Sequence, residues 1–380
     1  MNEYEPNTVD SSREIKIAKS GDDGLGPLKL LPGTWANIRP DHRLEDPDGG
    51  TNAFQGEGTL TGAGQSPFDG RGWNIIALPF AQEGQFRNYR VLMNQYNEVL
   101  KFSKVDDNVP NRGITHGRPA QNADQRIAAL DYEQMIAQIA AEDFAISSQA
   151  GGSGLPIHHE PGLFLHMKEQ RVEGFDICRL ATIPHGNAAN AIGRSQVIDG
   201  PPTIGDLSAF PEGLTDDVKL AVENVDPVQD PTNYLLPYHH FLKHPFTGVV
   251  TAPGFPGFGP GNSNQLLQIG LPNNVVRTTI LQMDTDDMEA GIVNIPFIER
   301  QADAAVMRST FWIMELEETD QHGQPKLVMA YSQFIFLDFF DRRDGKPGLV
   351  RWPHISINMM EKIEEPDQAA DKTMVVVPHI

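Results

Sequence analysis

Two histidine-bearing stretches hold the residues best suited to chemistry. "PIHHEPGLFLHM" (156–167) sets His158, His159 and His166 close together beside Glu160, and "RWPHISINMMEK" (351–362) carries the single His354. An imidazole can accept a proton or bind a metal near neutral pH. If both stretches are β-strands, side chains alternate between faces. His354 then shares a face with Trp352, Ser356 and Asn358, while Ile355, Ile357 and Met359 form an apolar row on the other. The same alternation puts His158 and Glu160 on one face and His159 on the other. Two uses stay open for each stretch. The histidines either satisfy backbone groups and solvent, or they line a pocket.

Other candidates carry less. "YHHFLKH" spaces His240 and His244 four apart, as a zinc pair on one helical face would be. It lacks the Glu of an HExxH motif and sits in a loop-like setting, so it reads as a surface cluster. "DPDGGTNAFQGE" (46–57) has acids at the first, third and twelfth positions of a calcium loop but misses its fifth-position ligand and its glycine. "GEGTLTGAG" (56–64) imitates a phosphate loop without a strand before it or a helix after it. Both read as turns. There is no GxSxG elbow, and the single Cys178 lies in an apolar, strand-like run, so nucleophilic hydrolysis has no support.

Strands must position these histidines, and the chain supplies many. "GWNIIALPF" (72–80), "NYRVLMNQYNEVLKFSKV" (88–105), "GLFLHMKEQ" and "DICRLATIP" precede residue 200. "VVRTTILQMD", "GIVNIPFIE", "AAVMRSTFWIMELEE", "KLVMAYSQFIFLDFF" and "RWPHISINMME" follow 275, and "DQHGQPK" (320–326) forms a hairpin turn. Residues 122–144, "NADQRIAALDYEQMIAQIAAEDF", read as a helix: Ile127, Leu130, Met135, Ile136 and Ile139 recur near helical spacing, with Asn122 or Asp124 to cap it. Residues 200–274, dense in Pro and Gly, read as an insertion laid over the barrel, either wrapped around it or covering a pocket. The expected fold is mainly β: a closed antiparallel barrel with one added helix, forming a single domain over 27–362. A mobile segment, 1–26, would precede it and an acidic tail, 363–380, would follow. Such a barrel can have a partly polar interior.

Charge and composition narrow the partners. A net charge of −21 would repel nucleic-acid phosphates and anionic lipid surfaces. No run of about 18 apolar residues provides a membrane span. The start of the chain lacks the apolar core of a signal peptide, and one cysteine allows no internal disulfide. A cytoplasmic protein acting on a small molecule is the expectation.

Four stretches, in order, resemble the nitrobindin family of small antiparallel β-barrels, which share their shape with fatty-acid-binding proteins and lipocalins. Leu31-Pro32-Gly33-Thr34-Trp35 is similar to the family's opening GTW. Tyr96-Asn97-Glu98-Val99-Leu100-Lys101-Phe102 resembles its aromatic-x-Glu-x-aliphatic-x-Phe strand. His158-His159-Glu160-Pro161-Gly162 looks like its HxExG element, and Pro353-His354-Ile355-Ser356 its terminal histidine strand. The resemblance implies haem b, with His354 as axial iron ligand and with His158, Trp35 and Thr34 near the cofactor. It implies either peroxidase-like chemistry with peroxide or a related oxidant, or nitric oxide binding and peroxynitrite isomerisation. His158, His159, His166 and Arg179 are the candidates for distal acid–base and charge-stabilising roles. A non-haem carrier of an apolar ligand is the reading from a different class. This chain is more than twice as long as family members, and the matching segments cover about half of it.

Overall fold

The computed structural model describes residues 21–37, 71–81, 88–115, 117, 119–169, 171–212, 235–250, 254–287, 289–320, 323–342 and 346–363. The expected turns at 46–64, the start of the chain before residue 21 and the tail beyond 363 lie outside them. In chain order the elements are a 3-10 turn (Asp23–Leu28), β1 (Gly33–Asn37), β2 (Gly72–Pro79), β3 (Tyr89–Ile114), β4 (Asn122–Phe144), β5 (Pro156–Met167), β6 (Ile177–Ile183) and β7 (Asn187–Asp199). Then come α1 (Leu236–Lys243), α2 (Gln265–Gly270), β8 (Val275–Asp284), β9 (Gly291–Asn294), α3 (Pro296–Gln301), β10 (Asp303–Thr319), β11 (Pro325–Asp341) and β12 (Leu349–Ile363).

One antiparallel sheet runs β1-β12-β11-β10-β8-β7-β6-β5-β4-β3-β2 and closes through β12–β2 and β1–β3 pairs. β1 and β2 share one position between β3 and β12. β1 joins Val99–Phe102 to Met360–Ile363, and β2 joins Tyr89–Tyr96 to Ile355–Ile357. Closure leaves a ten-stave barrel whose ladder has no long open edge. The expected fold class is therefore observed, including the hairpin between β10 and β11.

The helix expected at 122–144 does not form. That segment is β4, paired with β3 on one side and β5 on the other. Its Ala, Gln and Leu favour a helix in isolation, but Leu130, Tyr132 and Gln134 are buried while Asp131, Glu133 and Met135 are exposed. That is a period of two, and ladders on both edges satisfy the backbone. The helices are short. α1 and α2 lie within 200–274, and α3 connects β9 to β10. None of the helices in the described residues is long and apolar enough to cross a membrane.

Two apolar clusters frame the site. Inside one end of the barrel, Leu25 and Leu28 of the 3-10 turn are fully buried with Trp35, Phe102, Phe164 and Phe311. On the other face of the sheet, Tyr238, Phe241, Phe246, Phe258 and Leu266 of the insertion pack on Trp73, Val91, Met93, Ile355, Ile357 and Met359. Each such side chain contributes about 1.5–3 kcal/mol. The apolar row of β12 is thus consumed by the insertion, which turns the His354 row toward the lumen. Trp352 is drawn into the insertion-side cluster, stacked on Phe339 at 4.9 Å, with Tyr238 of α1 6.3 Å away.

Candidate functional site

Three imidazoles gather at the end of the barrel away from the Leu25 plug. His354 stands on β12 opposite Ile335, and its Nε2 lies 2.8 Å from the Asn74 amide nitrogen on β2. Burial, reinforced by His158 and His185, pushes the His354 pKa down to about 3, so the ring is neutral. His185 sits in the β6–β7 turn with its ring centroid 5.9 Å from that of His158. Burial, then the proximity of His158, lowers its pKa against a backbone hydrogen bond at Ile157 that raises it.

Below this layer Glu160 of β5 is fully buried. It accepts hydrogen bonds from Arg179 at 2.5 Å and from the Tyr132 hydroxyl, and its other oxygen lies 3.2 Å from His158 Nε2. Arg179 also donates to Tyr132 at 3.0 Å and to Gln333 at 2.5 Å. Burial alone would raise the Glu160 pKa. The adjacent guanidinium, joined by His158 and the Tyr132 hydroxyl, outweighs it and draws the carboxyl down to about 2. A carboxylate only accepts, so His158 Nε2 carries the hydrogen and, in the neutral ring, Nδ1 keeps a lone pair. Gly162 lies opposite Tyr132. A Cβ there would come within 2.7 Å of the Tyr132 ring and 2.0 Å of the Leu180 carbonyl oxygen. The run His158-x-Glu160-x-Gly162 is thereby explained: two inward polar groups and a gap for the phenol that binds one of them.

A second buried carboxylate, Glu98 of β3, has a different company. The Tyr331 hydroxyl donates to it at 2.6 Å, Gln134 Nε2 at 2.6 Å and Asn358 Nδ2 at 2.7 Å. Asn37 completes the set, donating to Asn358 Oδ1 at 2.8 Å and accepting from the Glu98 backbone N–H at 2.5 Å. Burial raises the Glu98 pKa, opposed by these donors and by His158. The Tyr331 and Tyr96 hydroxyls are 2.9 Å apart. The Tyr96 ring lies over Gly72, where a Cβ would fall 1.9 Å from it.

Of the residues singled out in the sequence, the structure brings His354, His158 and Arg179 into one neighbourhood. His159 lies on the other face, exposed, 3.0 Å from Glu133. His166 lies toward the plugged end, beside Gly26, and burial drops its pKa to about 4. Thr34 and Trp35 are at that end too. Trp35 pairs with Lys362, eight residues along β12 from His354, or about 26 Å at ~3.3 Å per residue. Its indole donates to the Leu31 carbonyl at 2.8 Å. His240 and His244 lie on and just past α1, rather than in a loop, with rings 5.2 Å apart. His240 stacks on Phe144 at 4.2 Å. Among the described residues no three His, Cys, Asp or Glu side chains form a metal-binding group. Burial raises the Cys178 thiol to about 11, and its Sγ lies 3.1 Å from Asn190 Oδ1.

The sequence reading passed over His185, Asn74 and Tyr331. His185 falls in a turn, where no periodicity assigns a face. Asn74 and Tyr331 face the lumen only because of the register of β2 and β11. Glu98 and Tyr96 lay within a quoted motif, with their alternation readable.

No family profile and no curated protein matches the chain. Among solved structures, the crystal structure of Rv2717c from M. tuberculosis aligns over 79% of this chain and 94% of its own, at 12% identity and a TM-score of 0.29. A likeness that faint carries no functional argument.

Proposed function

We propose that the barrel holds haem b at its histidine end through His354 and acts on a small oxidant, with peroxidase-like turnover of peroxide as the leading activity. The observation that carries this reading is a neutral, largely buried imidazole on the inner wall, flanked by two more imidazoles and backed by a fixed carboxylate–guanidinium pair. Only a neutral imidazole has a lone pair for iron. Asn74 Oδ1 is buried without a hydrogen-bond partner. Turning that amide gives Oδ1 the Nε2–H of His354 and leaves Nδ1 as the donor, the kind of orienting partner that metal-bound histidines have. The donor set therefore fits. Haem iron bound there would supply ligand binding and electron-transfer chemistry. His158, with its hydrogen fixed toward Glu160, would accept or return a proton at Nδ1.

A second reading has its own support. The described part of the insertion packs on the outer wall of β2, β3 and β12, not across the histidine end. Where, among the described residues, the insertion lies on the outer wall, the histidine end suits a small diatomic or peroxynitrite, so nitric oxide binding or peroxynitrite isomerisation is the alternative.

Hemin titration with absorption spectroscopy tests the cofactor. A Soret band in the parent that is lost or shifted in His354→Ala is the expected result. Its absence in the parent would sink the haem reading and turn attention to an apolar cargo. With haem bound, peroxynitrite decay that needs no reductant would select the isomerase over the peroxidase.

A further inference from the structure

The two buried carboxylates are built for different tasks. Glu160 faces a guanidinium at 2.5 Å and stays ionised. Glu98 receives its hydrogen bonds from a phenol and two amides. An ion in the interior held only by neutral donors is costly, and protonation relieves that cost.

The phenol that binds Glu98 continues outward. The Tyr331 hydroxyl meets that of Tyr96 at 2.9 Å, and Tyr96 also donates to the carbonyl oxygen of Ile357 at 3.1 Å, next to Ser356 on β12. Ser356 stands directly opposite Asn74, whose amide contacts His354, and it is partly accessible. Every link is a hydroxyl, able to accept one proton while donating another. The groups facing Glu98 are Tyr331 from β11, Gln134 from β4, Asn358 from β12, Asn37 from β1, His158 from β5 and, on its own strand, Tyr96.

We propose that Ser356, Tyr96, Tyr331 and Glu98 form a proton relay that connects the His354 pocket to a proton-accepting carboxylate deep in the barrel. In uptake, the Tyr331 O–H bond breaks as the Glu98 O–H bond forms. The Tyr96 hydroxyl turns from the Ile357 carbonyl oxygen to give its proton to Tyr331, Tyr96 takes that of Ser356, and Ser356 takes one from hydronium at the mouth. The carboxylate is neutralised, one water is released, and no electron moves. The chemistry served is any that consumes or releases a proton at the pocket, including entry of a weak acid as its anion. The relay belongs to the chain itself and does not depend on what His354 holds.

The test uses the protein alone, so its outcome and that of the hemin titration are separable. Infrared spectra of the parent minus Glu98→Gln isolate the Glu98 carboxylic-acid band, and pH jumps follow its appearance and loss. Tyr96→Phe and Ser356→Ala leave the donors to Glu98 in place. The expected result is a band of unchanged amplitude whose equilibration slows by about tenfold or more in both variants. An unchanged rate in both, or a Glu98 band that never responds to pH, overturns the relay. Near-ultraviolet circular dichroism confirms that each variant is folded, and either variant alone decides the question if the other is not.

Discussion

Glu160 and Arg179, nineteen residues apart in the chain, meet at 2.5 Å inside the barrel with both side chains almost wholly buried. The guanidinium is enclosed by the rings of Tyr132, Phe164 and Phe311 at 5.3, 5.7 and 5.6 Å. This pair fixes the hydrogen of His158 and so connects the packing of β5 and β6 to the chemistry of the histidine layer.

Removing one member leaves the other buried and uncompensated, which costs about 3–5 kcal/mol. Arg179→Met and Glu160→Gln should each destabilise on that scale, and the double variant should lose much less than their sum. Urea unfolding of the four proteins measures this. Additive losses would mean that the pair is not coupled.

Acid sensitivity should trace to the histidine end. The folded pKa of His354 lies near 3, below its unfolded value of about 6.5. Between those values the unfolded chain binds the extra proton, so stability falls as pH drops through this window. His354 alone accounts for up to roughly 1.4 kcal/mol per pH unit. His354→Gln should flatten the stability–pH curve between about pH 6 and 4 by close to that slope. Parallel curves for the two proteins would contradict the placement of a neutral, buried imidazole.

Gly72 exists for Tyr96. Replacing a strand glycine by alanine ordinarily helps, but here the new methyl would meet the ring, and overpacking of that kind costs about 1–3 kcal/mol. Gly72→Ala should destabilise the parent yet cost far less in a Tyr96→Leu background. An equal cost in both backgrounds would place the strain elsewhere.

Cys178 should be chemically silent. With its thiol raised to about 11 by burial, little thiolate exists at neutral pH. A thiol reagent should label the native protein no faster than the rate at which it unfolds, and label it at once in denaturant. Rapid labelling of the folded protein would show that β6 opens locally.

The amino-acid sequence by itself determined the class of fold. Turn residues, short strand patterns and the hairpin at 320–326 specify local conformation, and local conformation repeated around a sheet leaves few options but closure. It also determined that His354, Ser356 and Asn358 share one face of β12 and that His158 pairs with Glu160, because alternation assigns relative faces without reference to distant residues. The insertion decided that the His354 face is the inner one and drew Trp352 out of that row. Tertiary structure decided the rest. Residues 122–144 balance helix propensity against strand alternation, and only the ladders from β3 and β5 settle that balance. Thr34 and Trp35 sit in a motif beside which a cofactor was expected, yet strand pairing puts them about eight residues of β12 away from His354. Asn74, His185 and Tyr331 reach the site from separate strands and turns, by a register that no single segment encodes. The physical reason is common to all of these. Backbone preference and face are local properties, whereas the meeting of side chains hundreds of residues apart is set by how the sheet closes.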